Sequence, residues 1–126
     1  MLLLKATKIY LACPYSHKDE AIREKRFEMV TRKAAELMLC GYIVFSPISH
    51  SHEIAKRMGA SYIIDHDFWM LQDLPYITYW ADEFWVFALD GWRESRGIQQ
   101  EMEVALEVNI PVRILKGFTP AGSEKA

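Results

Sequence analysis

Cysteine is scarce in this chain. Cys13 and Cys40 are the only two among 126 residues, and their separation matches no metal-ligand spacing. That excludes a cysteine-built metal centre and leaves two small residues suited to burial in a reducing cytoplasm. Net charge is also small, at -2, so nothing electrostatic favours a nucleic-acid polymer or an anionic membrane as partner. Long apolar runs are missing. Met1-Leu2-Leu3-Leu4 is interrupted by Lys5 and Lys8 too early for a secretory signal, and no later stretch could span a bilayer. No internal repeat, linker or low-complexity segment divides the chain. The expectation is a cytoplasmic protein folded as one domain over residues 1–115, with a C-terminal tail over 116–126.

What is present is ordinary for a soluble domain, with 51% apolar and 25% charged residues. Lys8 to Cys13 reads as a buried strand stopped by Pro14, with Pro14-Tyr15-Ser16-His17 as the loop after it. Lys18 to Cys40 carries a helical pattern in which Phe27, Val30, Ala34 and Leu37 share a face, and Gly41 is placed to end it. Tyr42 to Phe45 is a second strand, followed by a loop over Ser46 to His50 and a short helix over Ser51 to Met58. Asp65 to Trp80 is helical in pattern, but Pro75 predicts a break or a new helix after Asp73. Glu83 to Leu89 is a third strand, Ile98 to Val108 a helix, and Pro111 to Leu115 a last strand. Strands alternating with helices imply an α/β fold, with a parallel sheet and right-handed crossovers. The ends of the first three strands then bring Pro14-Tyr15, Ser46-Pro47 and Asp90-Gly91 to one edge, where such sheets bind small molecules.

The stretch from Asp90 to Gly97 and the helix after it concentrate the chemistry. At about 100° per residue, Gln99, Gln100, Glu103 and Glu107 fill one side of the helix. Ile98, Met102, Ala105 and Val108 fill the other, and Glu101 falls among them. A carboxylate on a core face is paired, hydrogen-bonded or catalytic, and spacing alone leaves these open. Ser95 and Gly97 offer a hydroxyl and bare backbone at a helix N-terminus, suited to phosphate, though an ordinary N-cap fits Ser95 equally. Arg23 and Arg26 lie in the turns nearest the first loop, either as phosphate ligands or as solvated charge. His50 and His52 form an H-x-H pair. With no third ligand at a defined spacing the metal reading is weak, and His50 suits a sugar or base contact better. Aromatics crowd the chain from Tyr62 to Trp92, predicting core, a subunit interface, and base stacking by Trp69 or Trp92. Among the carboxylates there, Asp65, Asp67, Asp73 and Asp82, any could be a helix cap.

Two motifs carry a family resemblance. Tyr10-Leu11-Ala12-Cys13-Pro14-Tyr15 resembles the opening strand and loop of the nucleoside 2-deoxyribosyltransferase-like superfamily. Asp90-Gly91-Trp92, followed by Ser95-x-Gly97-x-x-x-Glu101-x-x-x-Ala105, resembles its catalytic helix. Within that superfamily the chain is most similar to a subgroup of short bacterial proteins of unassigned function. The resemblance spans residues 8 to 115. It implies a flavodoxin-like three-layer αβα sandwich with a parallel sheet of four or five strands, ordered 2-1-3-4 at its centre, and a homodimer or higher homo-oligomer.

By the same resemblance, Glu101 attacks the anomeric carbon of a nucleoside or nucleotide, and an acidic residue on the helix before the third strand assists at the base. Asp73 fits that second role best by its distance from Ala81-Asp82, with Asp67 as the alternative. Tyr10, Pro14 and Tyr15 belong to the binding cleft with Ser46, His50, Asp90, Gly91 and Trp92. Members acting on free nucleosides carry an acidic residue at the Ser95 position, so serine there implies a nucleoside 5′-monophosphate. Such chemistry needs no metal or organic cofactor. The competing expectation is a nucleotide-binding module that keeps the cleft without turnover, or an interaction protein whose aromatic surface is its function.

Overall fold

The computed structural model describes residues 6–116. In chain order its elements are β1 (Lys8–Ala12), α1 (Glu20–Leu39), β2 (Ile43–Phe45), α2 (Pro47–Met58), α3 (Ala60–Ile63), α4 (His66–Tyr79), β3 (Glu83–Ala88), a 3-10 turn (Trp92–Glu94), α5 (Arg96–Glu107) and β4 (Val112–Lys116). The strands form one parallel sheet in the order β2-β1-β3-β4. Register is set at the middle of β1, where Tyr10 lies opposite Phe45 on one side and Phe84 on the other. The expected α/β class and strand order are those of the structure. The frayed Gly-Ser-Glu-Lys end of the expected tail lies outside the described residues, while Lys116 belongs to β4.

Both faces of the sheet are covered because β1 and β3 are apolar at successive positions, with no polar alternation. On one face Ile9, Leu11, Trp85 and Phe87 pack with Val30, Ala34 and Leu37 of α1. On the other, Tyr10, Ala12, Phe84 and Val86 pack with Ile77 of α4 and with Ile98 and Ala105 of α5. Each buried aliphatic or aromatic side chain contributes about 1.5–3 kcal/mol relative to exposure. The two layers therefore anchor α1, α4 and α5 against the strands whose ends form the cleft. Among the described residues no helix is long and apolar enough to cross a membrane.

Caps fix where the helices begin. Asp19, Ser46, Asp65 and Ser95 each accept a hydrogen bond from a backbone amide of the turn that follows. Ser46 and Pro47 correct one expectation. The segment expected as a loop from Ser46 to His50 is the first turn of α2, because a serine cap followed by proline at the first helical position starts a helix. Pro75 corrects another. Helix α4 runs unbroken through it. Proline removes one amide donor and frees the carbonyl of Leu71, but Leu71 is 77% exposed, so water can satisfy that carbonyl.

Candidate active site

A cavity of about 530 Å³ opens at the C-terminal ends of β1 and β3, the switch point of the sheet. That volume suits a nucleotide-sized ligand. Its walls come from the loop after β1 (Pro14, Tyr15), from α2 (His52, Ala55), from α4 (Trp69, Met70, Asp73), and from the start of α5 with Gly91 before it (Ser95, Gly97, Glu101).

Glu101 is placed there by the helical spacing already evident in the sequence. Ile98 and Ala105 of α5 bury into the sheet, and Glu101 shares their face at 5% exposure. Its Oε2 accepts a hydrogen bond from the Tyr10 hydroxyl, which reaches it from the centre of the sheet. Burial pushes the Glu101 carboxyl up to about 8, the Tyr10 hydrogen bond opposes that shift, and the charge of Asp73 adds to it. Asp73 lies in the same wall at 6% exposure, and burial pushes it up to about 7. Tyr10 is itself fully buried and flanked by both carboxyls, which raises its hydroxyl well above the ordinary range. It therefore remains a donor to Glu101. Asp67 is elsewhere: 88% of its side chain is exposed, and it pairs with Arg96 at 3.8 Å.

The N-terminal end of α5 forms a second corner. Ser95 Oγ accepts from the Ile98 amide at 3.2 Å, so the serine is a cap, and its hydroxyl also lines the cavity. A β-carbon on Gly97 would meet only ordinary contacts, at 3.8 and 3.9 Å. Gly91 is the constrained glycine: its φ is 89°, and a β-carbon would come within 3.1 Å of Arg26 Nη2. Arg26 spans the cleft floor. It donates to the carbonyls of Tyr15 (3.3 Å) and Ser16 (3.2 Å) in one loop and of Asp90 (3.1 Å) in the other. Arg23 instead donates to the His17 carbonyl and does not line the cavity.

Pro14, Tyr15, Arg26, Trp69, Gly91, Ser95 and Gly97 thus surround the cavity with Asp73 and Glu101, and Tyr10 stands behind Glu101. Other expected contacts are not brought there. Ser46 is the buried cap of α2, bonded to Ser49. The Asp90 side chain is exposed, and only its carbonyl is used. Trp92 packs on the core beside β3 and α5, with Arg93 over its ring at 4.8 Å. His50 is exposed against Phe45, whereas His52 is 3% exposed and faces the cavity. The two histidines diverge because residues two apart on a helix point to opposite sides. His52, expected only as half of an H-x-H pair, is the histidine that lines the cavity. Its signal was its place on one face with Ile48 and Ala55, visible only once the segment is read as a helix from Pro47.

A solved structure of a 2-deoxyribosyltransferase from the psychrotolerant bacterium Bacillus psychrosaccharolyticus, a biocatalyst for nucleoside synthesis, superimposes with a TM-score of 0.61. It is 23% identical, and the match covers 94% of this chain and 77% of that one. The likeness establishes a shared fold. No curated protein matches the chain by sequence. Residues 7–116 match the model of a family described as a domain of unknown function (DUF1937), and the protein belongs to that family.

Proposed function

We propose that the cleft cleaves the N-glycosidic bond of a nucleoside 5′-monophosphate, with Glu101 as nucleophile and Asp73 as proton donor. The observation that carries this reading is a buried carboxylate at a cavity wall, held by a tyrosine hydroxyl and faced by a second buried carboxyl. Burial raises both acids, so the pair holds one proton through neutrality. Glu101 is raised further than Asp73, so at rest the shared proton sits mainly on Glu101, and attack proceeds from the minor state with the proton on Asp73 and the charge on Glu101, a state that the hydrogen bond from Tyr10 favours. Asp73 then gives its proton to the departing base while a Glu101 oxygen bonds to the anomeric carbon. In the second step water, or another base, displaces Glu101 from that carbon, and the Asp73 carboxylate takes the proton released. Ser95 and the Gly97 amide supply donors for the 5′-phosphate at the helix terminus. The solved 2-deoxyribosyltransferase supports sugar transfer as the reaction class through its shared fold.

Two further parts belong to the reading. Leu71 and Tyr79 stand 77% and 86% exposed on one stripe of α4, with Pro75 between them, which supports a homodimer formed through that helix. Cys13 and Cys40, both free thiols with the first buried and the second exposed, support a reducing, cytoplasmic setting.

The test is incubation of the purified protein with nucleosides and their 5′-monophosphates, with chromatographic detection of free base. Glu101→Ala abolishes release, and Glu103→Ala, on the exposed side of α5, leaves it unchanged. Wild-type rates in Glu101→Ala would refute the nucleophile assignment. Binding without release by the wild type would favour a nucleotide-binding module.

A further inference from the structure

We propose that His52 and Glu24 fix the Tyr15 hydroxyl as a hydrogen-bond acceptor at one end of the cleft, selecting bases that present an amino group over bases with an oxo group there. The inference rests on the nucleotide reading above and adds the chemical class of base.

The polarity follows from a chain of three contacts. Glu24 Oε2 receives Lys56 Nζ at 2.6 Å and lies 2.8 Å from His52 Nε2. The Lys56 hydrogen bond comes first among the influences holding the Glu24 carboxyl below its usual range, so Glu24 is an acceptor only. Nε2 must therefore carry the proton. In a neutral imidazole that leaves Nδ1 with a lone pair, and Nδ1 lies 2.7 Å from the Tyr15 hydroxyl. The hydroxyl proton is thus spent on His52, Arg23 engages one lone pair, and Tyr15 has only its remaining lone pair to offer a ligand. The ring cannot turn to escape this, because it is 3% exposed and stacked on Phe27 at 4.0 Å. Burial raises the Tyr15 hydroxyl against the opposing charges of Arg23 and Lys56, which keeps it protonated.

Sheet order identifies which part of the ligand meets Tyr15. Ser95 and Gly91 follow β3, Tyr15 follows β1, and His52 follows β2, so the three groups lie across the cleft in the order β3, β1, β2. With phosphate at Ser95 and the anomeric carbon at Glu101, the base extends toward Tyr15 and α2. Pro47, Ile48, Ala55, Ile63 and Ile64 make the walls at that end largely apolar, with Ser51 beside them on α2. In such surroundings one fixed acceptor discriminates strongly, since an opposing oxo group leaves two lone pairs facing each other without a proton between them. Tyr15 is the contact, and His52 and Glu24 are positioning residues.

Two measurements test this. Calorimetric titration compares adenine with hypoxanthine 5′-monophosphates and cytosine with uracil 5′-monophosphates. The wild type binds the amino member of the better-binding pair about tenfold more tightly, consistent with one hydrogen bond in an apolar site. Tyr15→Phe reduces the ratio to near one, and His52→Phe, which keeps the stack on Phe27, frees the hydroxyl to donate and also collapses the ratio. An unchanged ratio in Tyr15→Phe, or a wild-type preference for the oxo member, overturns the inference while the nucleotide reading stands. Failure of all four ligands to bind overturns both. Independently of any ligand, the nitrogen-15 spectrum of His52, identified by its loss in His52→Phe, shows a neutral ring protonated on Nε2. A proton on Nδ1 overturns the inference.

Discussion

Replacing Glu101 by glutamine makes the protein more stable at high pH, by an amount the structure sets. In an unfolded chain the carboxyl ionises near its ordinary value of 4.5, whereas in the fold burial holds it protonated up to about 8. Between those values the folded state binds more protons than the unfolded state, so stability falls as pH rises. Below pH 4.5 the group contributes no penalty, and above about 8 the penalty is complete. At 1.36 kcal/mol per unit, the shift from 4.5 to about 8 amounts to about 5 kcal/mol. Glutamine keeps the shape and can still accept from Tyr10, but it never ionises. For a domain of this size about 5 kcal/mol corresponds to roughly 15–20 °C in Tm. Thermal unfolding followed by tryptophan fluorescence from pH 4.5 to 8.5 is the assay. The Tm advantage of Glu101→Gln should be small at the acid end and grow by that amount toward pH 8.5. Exposed groups titrate alike in both proteins and cancel. Parallel Tm profiles for the two proteins would refute the claim that Glu101 is buried at an energetic cost.

Ser95 and the surface of α4 supply further tests. Ser95→Ala should shrink the affinity advantage of a 5′-monophosphate over its nucleoside by about 1–2 kcal/mol, the value of one hydrogen bond to a charged group, and Ser95→Asp should narrow or reverse it; equal wild-type affinities in calorimetry would leave Ser95 as a cap alone. Light scattering should show a dimer at micromolar concentration, and Leu71→Lys combined with Tyr79→Lys should give a monomer, since both side chains are largely exposed in the single chain. A wild-type monomer would count against that interface.

The sheet was legible in the sequence because its strands are continuous apolar runs bounded by Pro14, Gly41 and Asp90-Gly91, and alternation with helices leaves little choice of topology. Glu101 was legible for a related reason: its helix separates polar from apolar residues so cleanly that one carboxylate on the wrong side stands out. Contacts that depend on side-chain direction within short segments were not legible. Reading Ser46 to His50 as a loop hid the opposite orientations of His50 and His52. Trp92 lies close in sequence to Ser95 yet packs into the core, because the 3-10 turn between them rotates its ring toward β3 and α5. Arg23 and Arg26 share a predicted role, but one reaches the His17 carbonyl and the Tyr15 side chain while the other ties two loops together. Helical period gives the face, and only the three-dimensional path of the loops gives the partner.

Arg26 and Tyr10 explain how a fold this small holds two carboxyls in an unfavourable protonation range. Tyr10 occupies the middle of β1 and stacks on Phe84 at 5.5 Å, so the group that bonds Glu101 is locked by the register of the sheet. Arg26 spends three of its hydrogen bonds on the carbonyls of the β1 and β3 loops, fixing the distance between the walls that carry Tyr15 and Gly91. Neither device relieves the desolvation of Glu101 and Asp73. Both prevent the structure from relieving it by opening. A looser cleft would let water in and return both acids toward ordinary carboxylate values. The apolar layers on either side of the sheet supply the stability that this arrangement consumes, and the same residues that build the core therefore set the chemistry of the cleft.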